Sequence, residues 1–296
     1  MKRLPDPLDA PARQNISPLA LIGKATGLAR DITFRFSKCY GVDLRRLRLA
    51  LGNTPRFVRD YKTYMSRLRA ASPASRQSFS PRKRFLYPCL GDYDDTPGAL
   101  GVYFHQDLWA ARKVYARRPE RHVDIGSRID GFIAHLLVFM NVSVVDVREM
   151  KSPVPGLDFV RADATTMVLF ENDSVDSLSS LHAAEHFGLG RYGDPVDPDA
   201  CFDFMRNLQR VLAVGGRLLF SVPIGEERVF FNAHRVFSPI TVLKTFHELS
   251  LVSFSAVTRE NESIEDAAPE AWLEKRYKVG LFEFTKETPQ PVSGGC

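Results

Sequence analysis

The stretch His122-Val-Asp-Ile-Gly-Ser-Arg-Ile-Asp-Gly131 decides how this chain reads. A short apolar strand runs into a glycine, and an apolar segment at helical spacing follows over residues 130–140. Glycine at a strand-to-helix turn reaches conformations closed to other residues and lets a ligand approach the main chain. A helix that starts there points its unpaired N–H groups at the same place. In an open α/β sheet, that place is the carboxyl edge of the strands, where ligands sit. A plain strand–helix connection uses the same residues, so the turn has to be weighed with its neighbours.

Working outward, residues 142–147 read as a second buried strand, 157–160 as a third and 175–181 as a fourth. Residues 198–213 read as a helix with Phe202, Met205, Leu208, Val211 and Leu212 on one side. Gly215-Gly216 then form a turn that leads into a fifth strand over 217–222. A helix over 239–249 and strands over 251–257 and 279–285 complete the pattern, with an acidic surface loop between the last two. Short apolar strands separated by helices imply βαβ units and a parallel sheet. The expected class is α/β, with a Rossmann-like sheet over residues 85–286. A basic helical extension over 1–84 precedes it, and a flexible tail over 287–296 follows.

The chain has 296 residues, 44% hydrophobic and 25% charged, with a net charge of +5. The excess is concentrated between Arg45 and Arg84, where only Asp60 opposes a recurring series of Arg and Lys. A helix opening at Pro55 is expected there, with Phe57, Val58, Tyr61, Met65 and Leu68 on its apolar face. A basic amphipathic helix suits peripheral contact with an anionic membrane, and a merely solvated arm has the same composition. Aromatics are not interleaved as stacking platforms, which argues against nucleic acid. Cys39, Cys89, Cys201 and Cys296 are scattered, as reduced thiols of a cytoplasmic protein would be, and no metal-ligand spacing appears. Met1–Gln14 lacks the apolar core of a signal peptide.

Three further signals give the turn its meaning. Asp146 ends the second strand at about the distance from Asp124 at which nucleotide-binding folds use an acid for ribose hydroxyls. Asp163 follows the third strand, where it can meet an adenine amino group or cap the next turn. Leu208-Gln-Arg-Val-Leu-Ala-Val-Gly-Gly-Arg-Leu-Leu-Phe-Ser-Val-Pro223 packs a helix, a double glycine and a buried strand in succession.

With these in place, the core resembles a class I S-adenosylmethionine-dependent methyltransferase. That resemblance implies a seven-stranded sheet whose last strand is inserted antiparallel, and S-adenosylmethionine as cofactor. More narrowly, His105-Gln-Asp-Leu-Trp109, the 122–131 turn, Ser179-Ser-Leu-His-Ala-Ala-Glu-His-Phe-Gly-Leu-Gly-Arg-Tyr-Gly-Asp194 and Phe231-Asn-Ala-His-Arg-Val-Phe-Ser-Pro239 resemble the DUF268 family, over roughly residues 87–257. The expected cofactor residues are Asp124, Gly126, Ser127, Arg128, Asp146 and Asp163. The chain departs from the methyltransferase pattern Asp-x-Gly-x-Gly-x-Gly by placing Arg128 and Asp130 at the second and third glycines. Arg128 can pair with the methionine carboxylate, whereas Asp130 opposes it unless it points away.

His182, Glu185 and His186 follow the fourth strand and are the expected catalytic groups, since imidazole near its ordinary pKa suits a base that takes a hydroxyl proton. Arg191, Tyr192 and Asp194, with Asn232, His234 and Arg235 from the long 223–239 loop, are expected to bind a hydroxyl-rich acceptor such as a sugar or glycan. Gln106, Asp107 and Trp109 can close the site from the helix before the first strand. The alternative is a non-catalytic module of the same fold that binds a glycan or protein in surface-polysaccharide assembly. A dehydrogenase fits poorly, because G-x-G-x-x-G is missing.

Overall fold

The computed structural model describes residues 37, 39–41, 43–93, 100–258, 260–273 and 278–288. The start of the chain, residues 94–99 and all but the first two residues of the tail lie outside these. The chain forms two compact units, residues 1–97 and 98–296.

In the first unit, α1 (Leu44–Ala70) is followed by α2 (Pro73–Ser78). The Ser72 hydroxyl accepts from the Ser75 amide and caps α2. α1 starts well before Pro55, so that proline lies inside the helix rather than opening it. Proline has no N–H for the carbonyl one turn back. Next to it, the Thr54 hydroxyl donates to the Ala50 carbonyl at 2.8 Å. Leu68 is buried and Phe57, Tyr61 and Met65 are half-buried, while Val58 is exposed.

The second unit begins with α3 (Val102–Arg117) and β1 (His122–Ile125). A π-helical turn over Ile129–Ile133 then passes into the short α4 (Ala134–Leu136), so the helix is shorter than its apolar pattern suggests. β2 (Val142–Asp146), β3 (Leu157–Arg161), β4 (Val175–Leu181), α5 (Ala200–Val211) and β5 (Leu212–Ile224) follow. Then come β6 (Arg228–Phe230), β7 (His234–Val236), α6 (Pro239–Thr245), β8 (Leu249–Val257), β9 (Ser263–Ile264) and β10 (Lys278–Lys286).

The main sheet runs β3-β2-β1-β4-β5-β10-β8-β9. β1 to β5 are parallel, and β10 lies antiparallel between β5 and β8. The last long strand is inserted antiparallel, as expected from the methyltransferase resemblance, with one difference: the two-residue β9 adds an eighth strand at the edge. Gly215-Gly216 is not a turn before the fifth strand. It sits inside β5, where the pairing with both β4 and β10 shifts register. The 223–239 loop also holds structure of its own, the antiparallel hairpin β6–β7.

Strand side chains alternate between two cores, as the pleat requires. Leu218, Phe220 and Val222 of β5 and Phe282 and Phe284 of β10 pack with Phe204, Met205 and Leu208 of α5 and Phe246 just after α6. Leu219 and Leu281 face the other way, onto Trp109, Ala110 and Val114 of α3 and Phe132, Ile133 and Leu136 after β1. Helices on both faces leave the carboxyl edge of β1, β2, β4 and β5 open.

Candidate functional site

The floor of the site is a buried polar network at β1. Asp124 is fully buried; its Oδ1 accepts from the Ser127 amide at 3.0 Å and its Oδ2 from the Ser127 hydroxyl at 2.6 Å and from Ser179. The Ser127 hydroxyl also accepts from the Leu181 amide at 2.9 Å, tying the β1 turn to β4. His122 sits between Ser177 and Ser179, at 2.8 and 2.9 Å. Ser179 donates to Asp124, so it accepts from His122 Nε2, and His122 Nδ1 then accepts from Ser177. Burial pushes the His122 pKa down to about 3 and lifts that of Asp124 to about 6. Asp124 and Ser127 therefore brace the turn from beneath.

Above them lies a cleft of about 660 Å³, lined by Gly126, Arg128, Asp146, Arg148, Asp163 and Thr165 on one side. His182, Glu185, His186, Arg191, Tyr192 and His234 line the other. Gly126 has φ +73°, and a Cβ there would stand 3.1 Å from that of Ala183. The main chain is thus bare where it turns beneath the cleft. Arg128 is paired with Asp130 through two bonds, at 3.0 and 2.6 Å, and its guanidinium lies 5.0 Å from the Tyr103 ring. Asp146 is paired with Arg148 in the same forked way, at 2.9 and 2.5 Å, and accepts the Arg148 amide as well. Asp163 Oδ1 accepts from the Thr165 amide and hydroxyl, at 2.8 and 2.7 Å, and so caps its own turn.

His182 does not share a helical face with His186. It directly follows β4 with φ +53°, a conformation a non-glycine residue holds only under constraint. Its amide donates to the Ser221 carbonyl at 3.0 Å, and its Nδ1 meets Gln106 Oε1. Gln106 Oε1 also accepts from the Ser221 hydroxyl at 2.6 Å, while Gln106 Nε2 donates to Asp107 Oδ1 at 3.1 Å. Burial, with His186 and His234 close by, pushes the His182 pKa down to about 3.

The helical turn Ala184–His186 carries the other two groups. His186 Nδ1 lies 2.6 Å from the Ala233 carbonyl and therefore bears the proton, and burial lowers its pKa to about 4. Its Nε2 is 3.7 Å from Glu185 Oε1. Glu185 is 1% exposed, and its Oε2 is buried without a hydrogen-bond partner. Burial raises its pKa to about 8, so the acid is neutral at pH 7. Arg191 donates to the Ala233 carbonyl at 2.9 Å, and both Arg191 and Arg148 lie over the Tyr192 ring, at 5.2 and 5.0 Å.

Among the expected acceptor residues, three hold loops. Asp194 faces the cleft, but its carboxylate gathers the amides of Gly188, Gly190 and Tyr192. Asn232 donates to the Leu189 carbonyl at 3.3 Å. Arg235 reaches the Phe187 and Pro198 carbonyls. Neither Asn232 nor Arg235 lines the cleft. Sequence reasoning missed Tyr103, Arg148 and Ser221. Arg148 had a legible signal, since a basic residue two positions past a strand-end acid is placed to fork onto it. Among the described residues, no group of three or more His, Cys, Asp or Glu is set to hold a metal ion. The arrangement is a desolvated pocket of neutral imidazoles and a neutral acid, joined to a glycine turn and strand-end carboxylates.

The family model described as "Caenorhabditis protein of unknown function, DUF268" matches residues 146–278. The match starts later and ends further along than the sequence motifs indicated, leaving 105–109 and 122–131 upstream. No curated protein matches the chain. Among solved structures, 1,6-didemethyltoxoflavin-N1-methyltransferase from Burkholderia thailandensis, with bound 1,6-didemethyltoxoflavin and S-adenosylhomocysteine, is 19% identical. That alignment covers 62% of this chain and 80% of that one, with a TM-score of 0.45. The YcgJ protein from Bacillus subtilis is 14% identical over 62% and 99%, with a TM-score of 0.44. N-methyltransferase NodS from Bradyrhizobium japonicum, with S-adenosylhomocysteine, is 13% identical over 64% and 89%, with a TM-score of 0.43.

Proposed function

We propose that the chain is an S-adenosylmethionine-dependent methyltransferase that acts on a hydroxyl of a sugar or glycan, with His182 as the base. The observation that carries this reading is the shared cleft, where Gly126, Asp146 and Asp163 open onto the same space as His182, Glu185 and His186. Its volume lies within the range of small-molecule and cofactor sites. The donor set fits the cofactor. Gly126 lets the main chain close on it, and Asp146 faces the cleft with acceptor capacity left on Oδ2 for ribose hydroxyls. Arg128 can hold the methionine carboxylate in exchange for Asp130. The bound cofactor supplies a methyl group on a positively charged sulfur, so the chain's own task is to orient the acceptor and take its proton. Burial keeps His182 uncharged through the physiological range, with a lone pair to take a proton, but at a pKa of about 3 it is a weaker base than the ordinary imidazole expected from the sequence.

The test is transfer of labelled methyl from S-adenosylmethionine to a panel of sugars and glycans. His182→Ala is expected to abolish transfer while leaving cofactor affinity nearly unchanged, and His186→Ala to reduce it through the Ala233 contact. Full activity in His182→Ala would contradict the assignment of the base. The Arg128–Asp130 pair, which neutralises the glycine-poor loop from within, favours the second reading of a non-catalytic glycan- or protein-binding module. Cofactor binding separates the two.

For the basic extension we propose contact with an anionic membrane surface. Leu44, Leu47, Leu51 and Val58 are exposed on α1 at intervals of three, four and seven, which puts them on one face. Arg48, Lys62 and Arg69 are exposed along the same face. An apolar stripe edged by cations matches an anionic lipid interface in both polarity and charge.

A further inference from the structure

We propose that Gln106 and Asp107 are positioning residues that hold His182 with its proton on Nδ1 and leave Nε2 as the bare acceptor of the cleft. This rests on the reading of His182 as the base. Gln106 and Asp107 lie on α3 and are 2% and 6% exposed, so each of their polar atoms needs a partner inside the fold.

The partners fix a direction. Gln106 Nε2 donates to Asp107 Oδ1, which sets the orientation of the amide. Gln106 Oε1 therefore faces the other way and can only accept. It takes the Ser221 hydroxyl and His182 Nδ1, so Nδ1 must carry hydrogen. A neutral imidazole has one N–H, and Nε2 is left with a lone pair. Free imidazole side chains in water favour the opposite tautomer, with the proton on Nε2. The chain from Asp107 through Gln106 to His182 thus fixes tautomer and orientation, one of the two things an acid does for histidine in a hydrolase triad, with an amide interposed. Tyr103, one turn earlier on α3, packs its ring 5.2 Å from the His182 ring and limits its rotation.

The same contact gives Gly131 a role that needs no ligand. A Cβ on Gly131 would lie 2.0 Å from Asp107 Oδ2. Gly131 makes room for the carboxylate that orients Gln106. The motifs at 105–109 and 122–131 are therefore two halves of one device acting on a histidine at the end of β4.

The experiment is a long-range ¹H–¹⁵N correlation spectrum of the full chain with ¹⁵N-labelled histidine, recorded without cofactor from pH 5 to 8. The His182 signals are identified by their loss in His182→Asn. Protonated Nδ1 and bare Nε2 are expected throughout that range. Gln106→Leu is expected to lose the Nδ1–H pattern. The double variant Gln106→Glu, Asp107→Asn exchanges acid and amide while keeping an acceptor toward His182, and is expected to restore it. A proton on Nε2 in the native chain would overturn the proposal, as would an unchanged pattern in a folded Gln106→Leu chain. The native spectrum decides the tautomer alone, so a variant that does not fold leaves the test standing. Because no cofactor is present, this result is independent of whether the methyltransferase reading holds.

Discussion

Glu185 shows how one side chain ties stability to the site. Its carboxyl is buried in the folded chain with a pKa of about 8, against 4.5 when exposed, so the folded state holds a proton that the unfolded state has released between those values. Its contribution to stability is full below about pH 4.5 and is lost as pH rises through about 8. His182 and His186 act in the opposite direction. Their folded pKa values, about 3 and about 4, lie below 6.5, and their contribution is lost as pH falls below 6.5. From these groups stability peaks near about pH 6.5 and falls above it by roughly 2 kcal/mol at most. Glu185→Gln is expected to remove that alkaline decline and leave stability at pH 5 little changed. Urea unfolding of both chains across this range checks it, and parallel pH curves for the two would count against a buried neutral acid.

Among the elements, β1 depends most on buried polar order. Ser179 satisfies both His122 and Asp124, each buried at 1% exposure or less. Ser179→Ala leaves a ring nitrogen and a carboxylate oxygen short of a partner at once. It is expected to cost about 1–3 kcal/mol of unfolding free energy and to loosen the Gly126 turn, seen as faster amide exchange at Ser127 and Leu181. A loss below about 0.5 kcal/mol would remove the network from the account.

What could be read in advance followed from how local each signal was. β1, β2 and β4 were legible because Val, Ile and Leu recur through short segments bounded by turn residues. The start of β5 was not, because Gly215-Gly216 resembles a turn in sequence and becomes a register shift only when β4 and β10 flank it. The hairpin β6–β7 was hidden by brevity and polar composition. In the site, Asp146 and Asp163 announced themselves at strand ends, and the His182–His186 segment did so through its histidines. The solitary Oε2 of Glu185 and the Gln106–His182 bond were not legible, since each depends on elements far apart in sequence.

At the scale of the whole molecule, the cleft lies in the second unit and the proposed lipid contact in the first. Among the described residues, no helix is long and apolar enough to cross a membrane, α1 included. Contact with lipid would be peripheral, through the exposed leucines and the cations beside them. The full chain is expected to sediment with vesicles containing phosphatidylserine at low salt, to release at high salt, and to ignore pure phosphatidylcholine. Leu47→Asp with Leu51→Asp is expected to abolish sedimentation. Indifference to both kinds of vesicle, or capture of duplex DNA instead, would contradict the membrane proposal.

The central claim is that the carboxyl edge of this sheet holds S-adenosylmethionine despite Arg128 and Asp130 in its loop. Calorimetric titration of the full chain with S-adenosylmethionine and S-adenosylhomocysteine tests it most directly, with thermal unfolding of each variant run alongside. One-site binding is predicted in the native chain. Gly126→Arg should abolish it, because φ +73° strains any side chain there, a Cβ would press on Ala183 at 3.1 Å, and the long side chain would fill the cleft where the main chain is bare. Asp130→Asn should tighten it about threefold, by freeing Arg128 from an exposed ion pair. Absence of binding in the native chain, or binding that a folded Gly126→Arg variant leaves unchanged, would contradict the account.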